Sequence, residues 1–255
     1  GEVTKGNIVW SVALPGGGAA TPIVWEDKVF LTTTDDQTKD NIALCINRKD
    51  GKILWQKKIS VYVNKASPTG KNTMSSPSPV TDGKQVWFGF GTGELIAYDL
   101  DGKEIWSRNL QKDFGTFTYM HGFSSSPLLY NGKMYLSVLR RDKHFIGNKM
   151  ASEQTFDSFL LAIDPATGKD LWKQVRCGAG KDGAQEAYTT PGPLESPARR
   201  EVLVSGGDSI TSHDPETGKE LWRWDGVANA QSNRTVASAL AAGETPSPEM
   251  VAAAG

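Results

Sequence analysis

The sequence predicts an all-β protein, a β-propeller of four-stranded antiparallel blades, and three observations carry that prediction. A Gly-Lys-x-x-Trp core recurs four times, with its tryptophans at positions 55, 106, 172 and 222. Each core follows a short apolar stretch that ends in a turn-forming segment, as in Leu161-Ala162-Ile163-Asp164 and Leu95-Ile96-Ala97-Tyr98-Asp99. No amphipathic helical period is sustained anywhere in the chain. Internal self-similarity at roughly 50 residues, with about four short strands per unit, is the signature of propeller blades.

The turn ahead of each core is a hairpin by its chemistry. In Asp164-Pro165-Ala166-Thr167-Gly168 the Asp can bond back to the following amides, Pro presets φ, and Gly supplies the positive φ that closes a bulged turn. Asp214-Pro215-Glu216-Thr217-Gly218 repeats the device, while Asp50-Gly51 and Asp101-Gly102 reverse the chain with other residues. Trp55, Trp106, Trp172 and Trp222 are then expected to close the outermost strand of each unit and to pack across to a neighbouring unit. Gly51, Gly102, Gly168 and Gly218 are their structural partners in the motif.

Upstream of each hairpin stands a small residue and a proline leading into an apolar strand: Thr21-Pro22, Ser78-Pro79, Ser126-Pro127 and Thr190-Pro191. A turn and a second strand follow, through Glu26-Asp27-Lys28, Asp82-Gly83-Lys84, Asn131-Gly132-Lys133 and Ala198-Arg199-Arg200. The predicted blades run over about 11–55, 56–106, 107–172 and 173–222. Residues 1–10, with Trp10, are read as the last strand of a preceding blade, and 223–255 as the start of a further blade and a tail. The longer third unit holds a polar insertion, roughly Arg140 to Asp157, expected to be a solvated excursion.

Composition narrows the function. Lys and Arg number 28 against 29 Asp and Glu, a formal charge of −1, which argues against nucleic acid as a partner. No apolar run approaches the roughly 18 residues of a transmembrane segment. Of the two cysteines, Cys45 sits in an apolar alternation and reads as a buried thiol, while Cys177 lies in a Gly-rich loop and reads as exposed. The three histidines have no ligand-like spacing, so no metal site is expected. Gly89-x-Gly91-x-Gly93 lies in a strand-to-strand turn and opens no helix, so it is no dinucleotide fingerprint.

The pattern Ala162-x-Asp164-x-x-x-Gly168-Lys169-x-x-Trp172 closely resembles the tryptophan-docking motif of pyrroloquinoline-quinone (PQQ)-type propellers. That superfamily includes quinoprotein alcohol dehydrogenases and the BamB outer-membrane assembly lipoproteins. Ser212-x-Asp214 through Trp222 matches with one change, Ala97-x-Asp99 through Trp106 is one residue short, and Cys45-x-Asn47 through Trp55 diverges most. The resemblance spans about residues 10 to 222, and in overall wording the chain is similar to BamB-like bacterial propellers. It implies six to eight blades and a location outside the cytoplasm, in the periplasm. At roughly 50 residues a blade such a ring needs on the order of 300 to 400 residues, so a partial ring of a seven- or eight-bladed propeller is expected. The chain opens at Gly1-Glu2 with neither a starting Met nor a signal peptide, as a trimmed form or an internal piece would.

For activity the resemblance implies two alternatives. One is a non-enzymatic scaffold that binds a protein, a peptide or a small polar ligand and needs no cofactor. The other is a quinoprotein alcohol or sugar dehydrogenase using PQQ with Ca²⁺. Dehydrogenases of that type carry a vicinal Cys-Cys disulfide and a Glu/Asn/Asp calcium set, and this chain has no adjacent cysteines. Because the first strand of each blade lines the channel, polar residues just ahead of it are the candidate ligand-binding residues at the channel mouth: Asn72, Tyr119, His121, Gln185, Glu186, Tyr188 and Arg234. A His, carboxylate, Arg and Tyr set could hold an anionic or sugar-like ligand; the competing reading is hydrogen bonding that ties blades together.

Overall fold

The computed structural model describes residues 5–62, 73–146, 149–197, 199–226 and 238–239. Four successive antiparallel sheets follow one another along the chain as propeller blades. The first holds β1 (Gly16–Gly17) and β2 (Ile23–Trp25), both paired with β3 (Lys28–Asp35), then β4 (Asp40–Asn47) and β5 (Ile53–Val61). The second runs β6 (Val80–Thr81), β7 (Gln85–Gly89), β8 (Glu94–Asp99) and β9 (Glu104–Asn109). The third is β10 (Leu128–Tyr130), β11 (Lys133–Val138), β14 (Phe159–Ile163) and β15 (Asp170–Val175), interrupted by a separate hairpin of β12 (Lys143–Ile146) and β13 (Lys149–Thr155). The fourth is β16 (Gly192–Glu195), β17 (Arg200–Gly206), β18 (Ser209–His213) and β19 (Glu220–Asp225). The insertion forms its own two-stranded hairpin, with residues 153–155 exposed. One short helix, α1 (Leu110–Phe114), follows the second blade, capped by the Asn109 side chain.

The two middle strands of the first three blades read as largely apolar runs, as strands covered on both faces do. Phe30, Ala43 and Cys45 of the first blade meet Val86, Phe88, Ile96 and Tyr98 of the second. Trp87, Leu95 and Ala97 meet Met134, Leu136, Leu161 and Ile163 of the third, and Tyr135, Leu160 and Ala162 meet Val202 and Val204 of the fourth. The outermost strands β5, β9, β15 and β19 are half-buried or exposed along their length.

Each blade carries a bulge at the same place, between Cys45 and Ile46, Ala97 and Tyr98, Ala162 and Ile163, and Ser212 and His213. The extra residue on the facing strand is Leu54, Ile105, Leu171 or Leu221, and all four are exposed. A bulge bends the strand and re-aims the next side chain, which here is the tryptophan. Trp10 Nε1 donates to Arg48 O at 2.6 Å, Trp55 to Leu100 O at 3.2 Å, Trp106 to Pro165 O at 2.8 Å and Trp172 to Pro215 O at 3.2 Å. Each acceptor belongs to the hairpin turn of the following blade. Trp222 departs from the pattern and donates to Glu201 Oε2 of its own blade at 2.8 Å. A Trp106→Phe variant keeps one aromatic ring but loses the donor and half of the indole bicycle. It is expected to be about 1–3 kcal/mol less stable in a denaturant titration, mostly from lost packing, because Trp87 Nε1 also donates to Pro165 O at 3.0 Å.

A second cross-blade chain runs along the innermost strands. Thr21 N donates to Ser78 Oγ at 2.9 Å, Ser78 N to Ser126 Oγ at 2.9 Å, Ser126 N to Thr190 Oγ1 at 3.1 Å and Thr190 N to Ser238 Oγ at 2.9 Å. The small residue ahead of each first strand therefore has a physical role: its hydroxyl takes up a backbone N–H of the previous blade that no ladder pairs.

Candidate functional site

Three segments converge at the end of the third blade where the innermost strands begin. They are the run from α1 to β10, the β11–β12 connection, and the run from β15 to β16. Arg140 fixes the first two together. Its guanidinium donates to Phe114 O, Gly115 O, Thr116 O and Asp157 O at 2.8–3.0 Å and lies over the Phe156 ring, 5.0 Å from its centroid. Arg140 is buried on these carbonyls, and desolvation lowers its pKa from the usual guanidinium value. Thr118 Oγ1 donates to Arg141 O, and Ala187 N donates to Leu139 O at 3.0 Å, which brings in the third segment.

At the centre sits Glu186, whose side chain is fully buried. Its carboxylate accepts from Met120 N at 3.0 Å, from Tyr188 Oη at 2.7 Å and from Arg141 Nε in a close ion pair. A buried carboxylate is tolerated only when charge-assisted donors replace its water, and these three come from all three segments. Gln185 Oε1 accepts from Asp142 N at 3.3 Å. Tyr188 lies against Tyr119, with ring centroids 5.8 Å apart, and against His121 at 6.2 Å; Tyr119 also meets Phe123 at 5.8 Å. The Tyr119 ring is half-buried but its hydroxyl is enclosed, and burial holds that phenol neutral to well above its usual range. His121 is half-buried, and no hydrogen bond of its ring is formed with the described residues.

The structure therefore brings Tyr119, His121, Gln185, Glu186 and Tyr188 together. Asn72 and Arg234 lie outside the described residues. Sequence reasoning missed Arg141, the charged partner of Glu186. Its only signal was the basic pair Arg140-Arg141 opening the insertion.

No group of three or more His, Cys, Asp or Glu side chains among the described residues is placed to hold a metal ion. Glu186, the buried carboxylate, is already engaged by Arg141, Tyr188 and the Met120 amide. Cys45 is buried, Cys177 is exposed, and both are free thiols. The donors described thus do not fit a quinone–calcium site of the kind the sequence resemblance implies. No described helix is long and apolar enough to cross a membrane.

Comparison with known proteins gives the following. A family model described as outer membrane protein assembly factor BamB matches residues 2–142 and 157–246. A polyvinylalcohol dehydrogenase from a Pseudomonas species is 21% identical over 245 residues, covering 87% of this chain and 36% of that enzyme. The dehydrogenase subunit of a quinone alcohol dehydrogenase from Gluconacetobacter polyoxogenes is 32% identical over 91 residues, which is 33% of this chain and 12% of that one. Among solved structures, a europium-containing methanol dehydrogenase superposes with a TM-score of 0.59 at 15% identity, over 82% of this chain and 42% of its own. The chain thus spans about a third of the length of the polyvinylalcohol dehydrogenase it matches.

Proposed function

This chain belongs to the PQQ-like propeller family described as outer membrane protein assembly factor BamB, and from that membership and the mouth geometry we propose a non-enzymatic binding scaffold. It works outside the cytoplasm and holds a protein or peptide segment against the mouth of the third and fourth blades. The observation that carries this reading is the state of Glu186: its carboxylate is spent on three protein donors, so it fixes the mouth instead of acting on a substrate. Around it, Tyr119 and Tyr188 supply aromatic faces, and His121 supplies ring nitrogens with no described partner. Rigid aromatic faces beside an adaptable polar group are what a peptide-holding surface uses.

The test is a photo-crosslinking amino acid placed at position 121 in the protein within its native cell envelope. A discrete polypeptide adduct that disappears when Tyr188 is replaced by Ala is the expected result. If position 121 yields no adduct, or one indifferent to Tyr188, the mouth is not the binding surface.

A second reading is favoured by one observation, the match to polyvinylalcohol dehydrogenase across 87% of the chain. On that reading the chain is part of a PQQ-dependent alcohol or sugar dehydrogenase, with ligands for the quinone and Ca²⁺ supplied outside the described residues. Protein supplemented with PQQ and Ca²⁺ is expected to show no dye-linked oxidation of alcohols or sugars. Turnover would establish this reading in place of the scaffold.

A further inference from the structure

The fourth blade departs furthest from the apolar pattern of the other three. On the face each blade turns to its predecessor, the third strand carries Ile42, Leu44 and Ile46 in the first blade and Phe159, Leu161 and Ile163 in the third. Glu94, Ile96 and Tyr98 hold these places in the second blade. The same register in the fourth blade holds Ser209, Thr211 and His213, all fully buried. Thr211 and His213 stand directly opposite Val204 and Val202, so they share the face that packs against Tyr135, Leu160, Ala162 and Trp172 of the third blade.

Into this stripe reaches Arg176, from the end of the third blade. Its guanidinium donates to Thr211 Oγ1 at 2.9 Å, Gly206 O at 2.6 Å, Val204 O at 3.2 Å and Ser209 O at 2.8 Å. Thr211 Oγ1 is 2.9 Å from His213 Nε2, and His213 Nδ1 is 3.0 Å from Gly218 O. A carbonyl can only accept, so Nδ1 carries the proton and Nε2 accepts from the Thr211 hydroxyl. The directed chain is Arg176 to Thr211 to His213 to Gly218. Its last member is the turn glycine over which the Trp172 ring lies, with the site of a Cβ only 2.5 Å from Trp172 Cε3.

We propose that the joint between the third and fourth blades is a pH-sensitive latch, closed by neutral His213 and released when His213 takes up a proton. A proton added at Nε2 turns that nitrogen into a donor. Thr211 Oγ1 then faces two cationic donors, and its own hydrogen must turn to Val204 O at 3.4 Å. Two positive charges on one buried oxygen are relieved when the imidazolium leaves for water, giving up Gly218 and with it the seat of Trp172.

The groups that face His213 are Arg176, Arg223 and Glu220, with Asp225 beyond them on Ser209, and Tyr135 across the joint. Burial of the ring dominates and pushes its pKa down from the ordinary imidazole value. A lowered value in the folded chain means that the stabilisation is present in full above about pH 6.5 and is lost as the pH falls from there towards the depressed value.

The experiment is amide exchange on the whole chain at pH 7.5 and pH 5.0, comparing protection of residues 209–222 with that of 42–55. The protection ratio is expected to fall about tenfold or more in the acid sample, and His213→Gln, which keeps a hydrogen-bonding side chain and cannot ionise, is expected to remove the fall. A His213→Gln protein with the same acid response would overturn the latch. Imidazole ¹⁵N shifts on the parent protein decide the matter even if that variant does not fold. A proton taken up by His213 near pH 6.5 or above, with 209–222 still protected, would equally dispose of it.

Discussion

Gly168→Ala is expected to lower the unfolding free energy by about 2–4 kcal/mol, a loss a denaturant titration reads directly. Two costs add. Gly168 sits at φ +71, where a side chain costs roughly 1 kcal/mol. A Cβ there would also lie 2.7 Å from Cδ2 and Cε3 of Trp106, at the rigid fused edge of the indole and not at the tip of a flexible chain. The ring must retreat, and its hydrogen bond to Pro165 O goes with it. Gly51, Gly102 and Gly218 stand in the same relation to Trp10, Trp55 and Trp172. Gly132 is the control: it has a similar positive φ of +72 and nothing near its Cβ position, so Gly132→Ala should show the backbone cost alone. Equal losses at 132 and 168 would mean that the indole contact contributes nothing.

Glu186→Ala is expected to cost about 2–4 kcal/mol and to loosen the three segments that meet there. The substitution removes the buried carboxylate that accepts from Arg141, whose side chain is only 14% exposed, from the Met120 amide and from the Tyr188 hydroxyl. Removing one half of a buried pair costs more than removing half of a surface ion pair, because the remaining charge has little access to water. Glu186→Gln should recover part of the stability, because a carboxamide oxygen still accepts from Tyr188 or Met120. Thermal unfolding of both variants beside the parent checks the order; an alanine variant as stable as the parent would show that Glu186 holds nothing together.

Legibility in the sequence followed locality. The hairpin, its glycine and the following tryptophan lie within a dozen residues of one another and repeat, so turn chemistry and spacing alone exposed them. The candidates at 119, 121, 186 and 188 came from a positional rule, that residues ahead of a first strand face the channel mouth, and the structure gathers them. Arg141 escaped because it stands 45 residues from Glu186, in an insertion whose path no repeat dictates. His213 was visible only as one letter of a strand ending in Asp214. Its weight emerges once the register sets it beside Ile46, Tyr98 and Ile163. The residues ahead of the prolines were recognised as strand leads, but a hydroxyl spent on the neighbouring blade's amide is a relation between units, and no single unit displays it.

Among the described blades those hydroxyls and the indoles form two concentric arcs, one at the hub and one near the rim. Each joint is therefore held at two radii, and damage at one radius need not propagate to the other. Losing an indole leaves the hub bond and the apolar core of the joint in place, so loosening is expected at the rim first. Losing a hub hydroxyl is expected to do the reverse. Paired spectroscopic distances, one across neighbouring hubs and one across neighbouring rims, would then move independently in Trp106→Phe and Ser126→Ala proteins.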